Sequence, residues 1–161
     1  MNSLEIVHFR TDDRIPDRAQ PMVYALGRLM FNFGLLELLS INGIWEFEND
    51  GEKRKELCNT LWNTRTKELK RLIKNTESTA LPKTKLIRVI NKASKLMAFR
   101  NSVAHGSLMD INDTEFVIYD PRSNKKNPYG KKITVQEILK KIDETFDLFE
   151  EWTQLGKEKS Q

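Results

Sequence analysis

Apolar residues recur every three or four positions along four stretches of the chain, the spacing that places them on one face of a helix. The first stretch runs from residue 17 to about 49, the second from 52 to 75, the third from 83 to 105 and the fourth from 135 to 157. Turn residues separate the first two stretches, and Pro82 precedes the third. The pattern therefore predicts four helices.

A short β-prone segment lies between the third and fourth helices. Residues 114–119 and 131–135 are rich in β-branched and aromatic side chains, and a polar loop separates them. This arrangement predicts a small β-hairpin within about residues 108–134. Thr134 has Glu137 three residues further on, which is the spacing of a capping box, so the final helix is expected to begin at 135.

Four helices with apolar faces and short connections can bury those faces against one another. We therefore expect a mainly α-helical fold, a four-helix up-and-down bundle with the hairpin between the third and fourth helices. Residues 1–15 show no sustained period and are expected to form an N-terminal arm. The length of 161 residues fits one domain over 1–161.

Composition narrows the protein class. Hydrophobic residues make up 39% of the chain and charged residues 31%, as in folded proteins, and the formal charge of +4 permits phosphate binding without requiring it.

The single cysteine, Cys58, and the absence of an apolar leader favour a cytoplasmic protein. Polar residues interrupt the apolar stretch 22–47, so we expect no membrane span. The sequence has no cluster of cysteine, histidine or acidic residues at the spacing of metal ligands, and no glycine-rich phosphate loop. We therefore expect neither a metal nor a cofactor.

The third helix ends in a cluster of polar side chains that follows an apolar run. Arg100, Asn101 and His105 lie within its last two turns. Arg100 and His105 are five residues apart, about 140° around an ideal helix, so they share one side of it only obliquely. A site that uses both side chains must be completed from elsewhere.

The order Arg-Asn-x-x-Ala-His over 100–105, at the end of an interior helix of a four-helix chain, resembles the HEPN family. The resemblance covers the helical order from the first helix to the last. It implies a homodimer in which two such helices meet, so that Arg100 and His105 of both chains line one cleft. In active members of that family the ribose 2′-hydroxyl attacks the adjacent phosphate without a metal, which leaves a cyclic phosphate and a 5′-hydroxyl.

The resemblance assigns roles to the cluster. Arg100 is expected to bind the scissile phosphate through its guanidinium group, and His105 to move the proton of the 2′-hydroxyl or of the leaving oxygen. Asn101 is a supporting residue that could hydrogen-bond the phosphate or orient a neighbour. Glu37, in the apolar stripe of the first helix, could pair with Arg100, although a structural salt bridge is the preferred interpretation.

Two basic segments are weaker candidates for contact with RNA. The loop before the final helix offers lysines and one aromatic ring for stacking, namely Lys125, Lys126, Tyr129 and Lys131. The second helix carries a basic cluster formed by Lys67, Lys70, Arg71 and Lys74. A solvated surface is the simpler explanation of both segments.

The leading hypothesis is a HEPN-like, metal-independent endoribonuclease that acts on RNA as a homodimer. The toxic half of a defence or toxin–antitoxin pair is its candidate role, with an antitoxin as a candidate partner. The alternative is a non-catalytic HEPN-like module that binds RNA, a nucleotide or a protein. A third hypothesis is a plain helical scaffold or dimerisation protein, in which Arg100 pairs with an acid and His105 caps its helix.

Overall fold

The protein is mainly α-helical in the computed structural model, which describes residues 20–77, 82–105, 107–110, 115–119 and 131–158. The order of elements is α1 (Gln20–Phe47), α2 (Gly51–Cys58), α3 (Trp62–Asn75), α4 (Lys83–His105), β1 (Ser107–Asp110), β2 (Glu115–Tyr119), β3 (Lys131–Thr134) and α5 (Val135–Glu158). The mainly helical fold class is thereby confirmed.

The four long helices pack as a ring. Helix α1 packs most extensively on α5 and also on α3, while α4 packs on both α3 and α5. Each long helix thus contacts its neighbours in chain order, as in an up-and-down bundle. The core between them includes Leu36, Leu69, Ile90 and Ile142, all nearly or fully buried.

The structure divides the segment expected to form one helix from 52 to 75 into α2 and α3. After α2 the N–H of Asn59 donates to carbonyls of the last turn, and the hydroxyl of Thr60 donates to the carbonyl of Leu57 at 2.7 Å. These bonds satisfy the carbonyls at the helix end, so the chain can leave the helix. Leu61 is then extended and 83% exposed, although its spacing of four residues from Leu57 would place it on the buried face of one continuous helix.

The predicted hairpin is present as β2 and β3, which pair antiparallel with Phe116 opposite Ile133. Strand β1, which the sequence pattern did not predict, follows α4 closely and pairs with β2 to complete a three-stranded antiparallel sheet. The predicted capping box is formed at the start of α5. The backbone N–H of Thr134 donates to Glu137 Oε2 at 3.0 Å, and the N–H of Glu137 donates to Thr134 Oγ1 at 3.1 Å.

Some predicted features lie outside the described residues. They are the N-terminal arm over 1–15 and the loop residues Lys125, Lys126 and Tyr129; Lys131 begins strand β3. Helix α1 is long and apolar enough to cross a membrane by length and composition. One side of it packs in the core of the bundle, as does the core helix of a soluble protein.

Candidate functional site

A groove of about 540 Å³ opens where α1, the start of α3 and the end of α4 meet. It brings together all four residues that the sequence singled out for chemistry, Arg100, Asn101 and His105 from α4 and Glu37 from α1. The rest of the lining is formed by Met30, Phe33, Gly34, Leu61, Trp62, Asn63 and Met97. The groove is therefore lined by both polar and apolar side chains.

Helix α4 presents its polar cluster at the edge of its buried face. Met97 and Val103 are buried, Arg100 is half-buried, and Asn101 and His105 are exposed. The Nη1 atom of Arg100 donates to Oδ1 of Asn101 at 3.1 Å. Within the described residues Arg100 forms no ion pair with a carboxylate, so its charge is available to an anion in the groove.

Glu37 pairs with Arg65, and the alternative pair with Arg100 is not formed. Arg65 Nη1 donates to Glu37 Oε2 at 2.7 Å and to Ser40 Oγ at 3.0 Å, and Nη2 donates to the carbonyl oxygen of Thr60 at 2.7 Å. The Arg65 side chain is only 7% exposed, whereas that of Glu37 is 42% exposed. This network ties α1 to the break before α3, which agrees with the preferred structural role of Glu37.

The network also sets the charge of the groove. Because Arg65 offsets the carboxylate of Glu37, the guanidinium of Arg100 is left as an uncompensated positive charge on the lining. A guanidinium beside an amide and an imidazole can bind a phosphate and transfer a proton. Among the described residues, His, Cys, Asp and Glu do not gather in any group of three or more that could hold a metal ion.

Sequence reasoning missed the contribution of the α2–α3 break. Leu61, Trp62 and Asn63 line the groove, and Arg65 holds the break in place. A signal was present in the sequence, since Arg65 lies three residues after Trp62 and four before Leu69, on the apolar face of α3. A charged side chain at such a position needs a buried partner.

Comparisons with known proteins found no family model, curated protein or solved structure that matches this chain. The resemblance to the HEPN family therefore depends on the motif at 100–105 and on the order of the helices.

Proposed function

We propose that the protein is a HEPN-like, metal-independent endoribonuclease of the cytoplasm. One observation carries the proposal: Arg100, Asn101 and His105 line one groove, and the charge of Arg100 is not offset by any carboxylate of the described chain. A phosphodiester is the anion that such a set of groups can both bind and cleave.

In the proposed reaction Arg100 binds the non-bridging oxygens of the scissile phosphate and offsets the charge that grows on them in the transition state. The bond between the 2′-oxygen and phosphorus forms while the bond from phosphorus to the 5′-oxygen breaks. A base takes the proton of the 2′-hydroxyl, and an acid protonates the departing 5′-oxygen. The products are a 2′,3′-cyclic phosphate and a 5′-hydroxyl, and His105 serves as one of the two proton-transfer groups.

A homodimer is part of the proposal because the described residues that line one groove include only one imidazole, that of His105. An exposed apolar row on α1 beside the groove supports it: Tyr24, Phe31, Leu38 and Trp45 recur every seven residues and are 67%, 81%, 43% and 53% exposed. Exposed apolar residues at a spacing of seven along a helix are typical of helix–helix interfaces. In a dimer with a two-fold axis along this row, each groove would receive the same contribution from the other copy.

One observation favours the non-catalytic alternative. Catalytic imidazoles are usually oriented by a second hydrogen bond, and within the described residues the ring of His105 has no such partner. In a homodimer the second copy would have to supply it. As a binding module, the same groove would hold RNA or a nucleotide through Arg100 and Asn101 without cleaving it.

The test is cleavage of a mixed RNA pool in EDTA by wild type, His105→Ala and Arg100→Ala, with Arg88→Ala as the matched control. Arg88 is exposed and pairs with Glu151 on the far side of α4. Wild type and the control should leave cyclic-phosphate ends, and each groove variant should lose roughly 100-fold or more in rate. An inert wild type that still binds RNA would refute the nuclease and favour the binding module.

A further inference from the structure

The formal charge of the chain conceals a separation of charge between helices. Helix α4 contains six lysines and arginines and no acidic residue, and α3 contains five with a single acid, Glu68. Helix α5 is rich in acids, with seven Asp and Glu against three Lys. The surface built by α3 and α4 is therefore strongly basic, although the net charge of the whole chain is only +4.

Several of these basic side chains are already paired. Arg65 binds Glu37, Arg71 binds Glu68, and both Arg88 and Lys92 reach Glu151 of α5. These pairs hold α3 to α1 and α4 to α5, or lie within α3 itself. They leave a set of lysines on α3 without ion pairs.

Three lysines of α3 form a row without ion pairs. Lys67, Lys70 and Lys74 are spaced by three and four residues, so they lie on one face of the helix. Lys67 and Lys74 are exposed, and Lys70 is half-buried. No carboxylate of the described chain pairs with any of them, although Arg71 on the neighbouring face has Glu68. Like charges at this spacing repel one another, so the row costs stability unless an anion binds to it.

The row begins at the groove. Asn63, one turn before Lys67 on the same face, lines the groove with Arg100 and His105. Further along, Lys70 Nζ donates to Asn91 Oδ1 at 3.3 Å, and the carbonyl of Lys74 accepts from the side chain of Lys83. These contacts show that α3 and α4 run antiparallel and that the row follows the seam between them.

Lys83 lies at the far end of the α4 side of this seam. From Asn91 to His105 that side carries small or polar side chains at helical spacing, namely Asn91, Ser94, Ala98, Asn101 and His105. The first of these faces Lys70, and the last two line the groove. The lysine row thus extends away from the groove for about 16 Å, the rise of the eleven helical residues from Asn63 to Lys74.

We propose that the lysine row, which starts one turn after Asn63 of the groove and consists of Lys67, Lys70 and Lys74, is a track for the phosphate backbone of single-stranded RNA entering or leaving the groove. Lysine ammonium groups contact phosphates as point charges and do not read bases, so the track extends the binding site without adding sequence preference. The assignment of RNA rests on the proposed function of the groove, while the row of lysines without ion pairs is observed independently of it.

Binding of a 5′-labelled twelve-nucleotide oligouridine, followed by fluorescence anisotropy in EDTA, tests the track. The His105→Ala protein is used so that the probe stays intact. The triple variant Lys67→Gln, Lys70→Gln, Lys74→Gln is compared with a control triple that loses the same charge from exposed lysines elsewhere, Lys55→Gln, Lys140→Gln, Lys157→Gln. Far-UV circular dichroism and thermal melting establish that each protein is folded.

Loss of three phosphate contacts should lower the slope of log affinity against log salt by about 2, since each contact contributes about 0.7 on a single strand. Affinity at 0.1 M salt should fall at least about tenfold in the row variant and much less in the control. Equal losses in the two triples would overturn the track, because the effect would then come from net charge alone. Tighter binding of oligoglutamate than of oligouridine, lost in the row variant, would assign the row to an acidic protein instead.

Cleavage of a dinucleotide separates this proposal from the proposed function. A dinucleotide fills only the groove, so in the otherwise wild-type protein the row variant should cleave it at the wild-type rate while the KM for the twelve-mer rises. If wild type cleaves neither substrate but the row variant still loses oligouridine binding, the nuclease fails and the track stands. If both substrates are cleaved and the KM for the twelve-mer is unchanged in the row variant, the track fails and the nuclease stands.

Discussion

Gly43 lies on the buried side of α1, where this helix meets α3 and α5. A Cβ atom built at this position would lie 2.6 Å from Cδ2 of Leu69, 3.0 Å from its Cδ1 and 3.1 Å from Cζ2 of Trp152. Leu69 is fully buried and Trp152 is 6% exposed, so neither side chain can turn into solvent. The substitution Gly43→Ala therefore has to push α1 away from its two neighbours or force Leu69 out of its rotamer.

Two opposing contributions decide the size of this effect. Alanine within a helix is more favourable than glycine by about 1 kcal/mol, while an extra methyl group in a packed core costs about 1–3 kcal/mol. Because the nearest contact is far below van der Waals distance, we expect the upper part of that range and a net destabilisation of about 1–2 kcal/mol. Gly27→Ala is the matched control, since a Cβ there meets no atom within 4 Å. It should stabilise the protein by about 0.5–1 kcal/mol.

Equilibrium unfolding in urea measures both variants. A third comparison introduces Gly43→Ala into a Leu69→Ala protein, which by itself should lose about 2–5 kcal/mol. With the clashing methyl groups of Leu69 removed, the alanine at 43 should now be neutral or stabilising. The reasoning is refuted if Gly43→Ala raises stability as Gly27→Ala does, or if its cost is unchanged when Leu69 is truncated.

Three further substitutions test contacts at the break before α3 and at the start of α2. Arg65→Met should lower the free energy of unfolding by about 1–3 kcal/mol, since Glu37 loses its partner but is exposed enough for water to replace part of the interaction; an unchanged urea midpoint would contradict this. Asp50→Ala removes the acceptor of two N–H groups at the start of α2 and should lower the free energy of unfolding, followed by thermal melts, by about 1 kcal/mol. Asp50→Asn should retain most of the stabilisation, because asparagine also caps helices well. The hydrogen bond from Lys53 lowers the pKa of Glu48 below its ordinary 4.5, so the stabilisation is present above pH 4.5 and is lost as the pH falls through the lowered pKa. Lys53→Met should therefore reduce the loss of melting temperature on acidification, and an identical acid profile would count against the pair.

The parts of the fold that the sequence predicted well are those whose signals are local. Helix α4 runs from Lys83 to His105, the range that its periodicity and preceding proline indicate. Helix α5 begins at Val135, immediately after the capping box. In both cases the residues that define the boundary are within a few positions of it, so tertiary packing is not needed to find them.

The α2–α3 break was missed because apolar spacing continues across it. Leu57 and Leu61 are four residues apart, as on a single helix, yet only Leu57 is buried. Trp45 and Phe146 likewise fit apolar stripes but are 53% and 44% exposed. Periodicity shows which residues share a helical face, whereas burial also depends on what packs against that face.

The candidate site also has a part that local sequence predicts and a part that depends on tertiary packing. Arg100, Asn101 and His105 were found together because one helix carries all three. The partner of Glu37 could not be found from the sequence, since Arg65 is 28 residues away and reaches it only through the packing of α3 on α1.

Arg65 connects this packing to the proposed chemistry without entering the groove. By donating to the carbonyl of Thr60 and to Glu37, it fixes the last residue but one before α3 against α1. Helix α3 therefore starts beside the end of α4, which places Asn63 on the groove and the lysine row along the α3–α4 seam. A single continuous helix over 52–75 would have no such starting point at the groove. The break that the sequence pattern conceals is thus what joins the groove to the proposed RNA track.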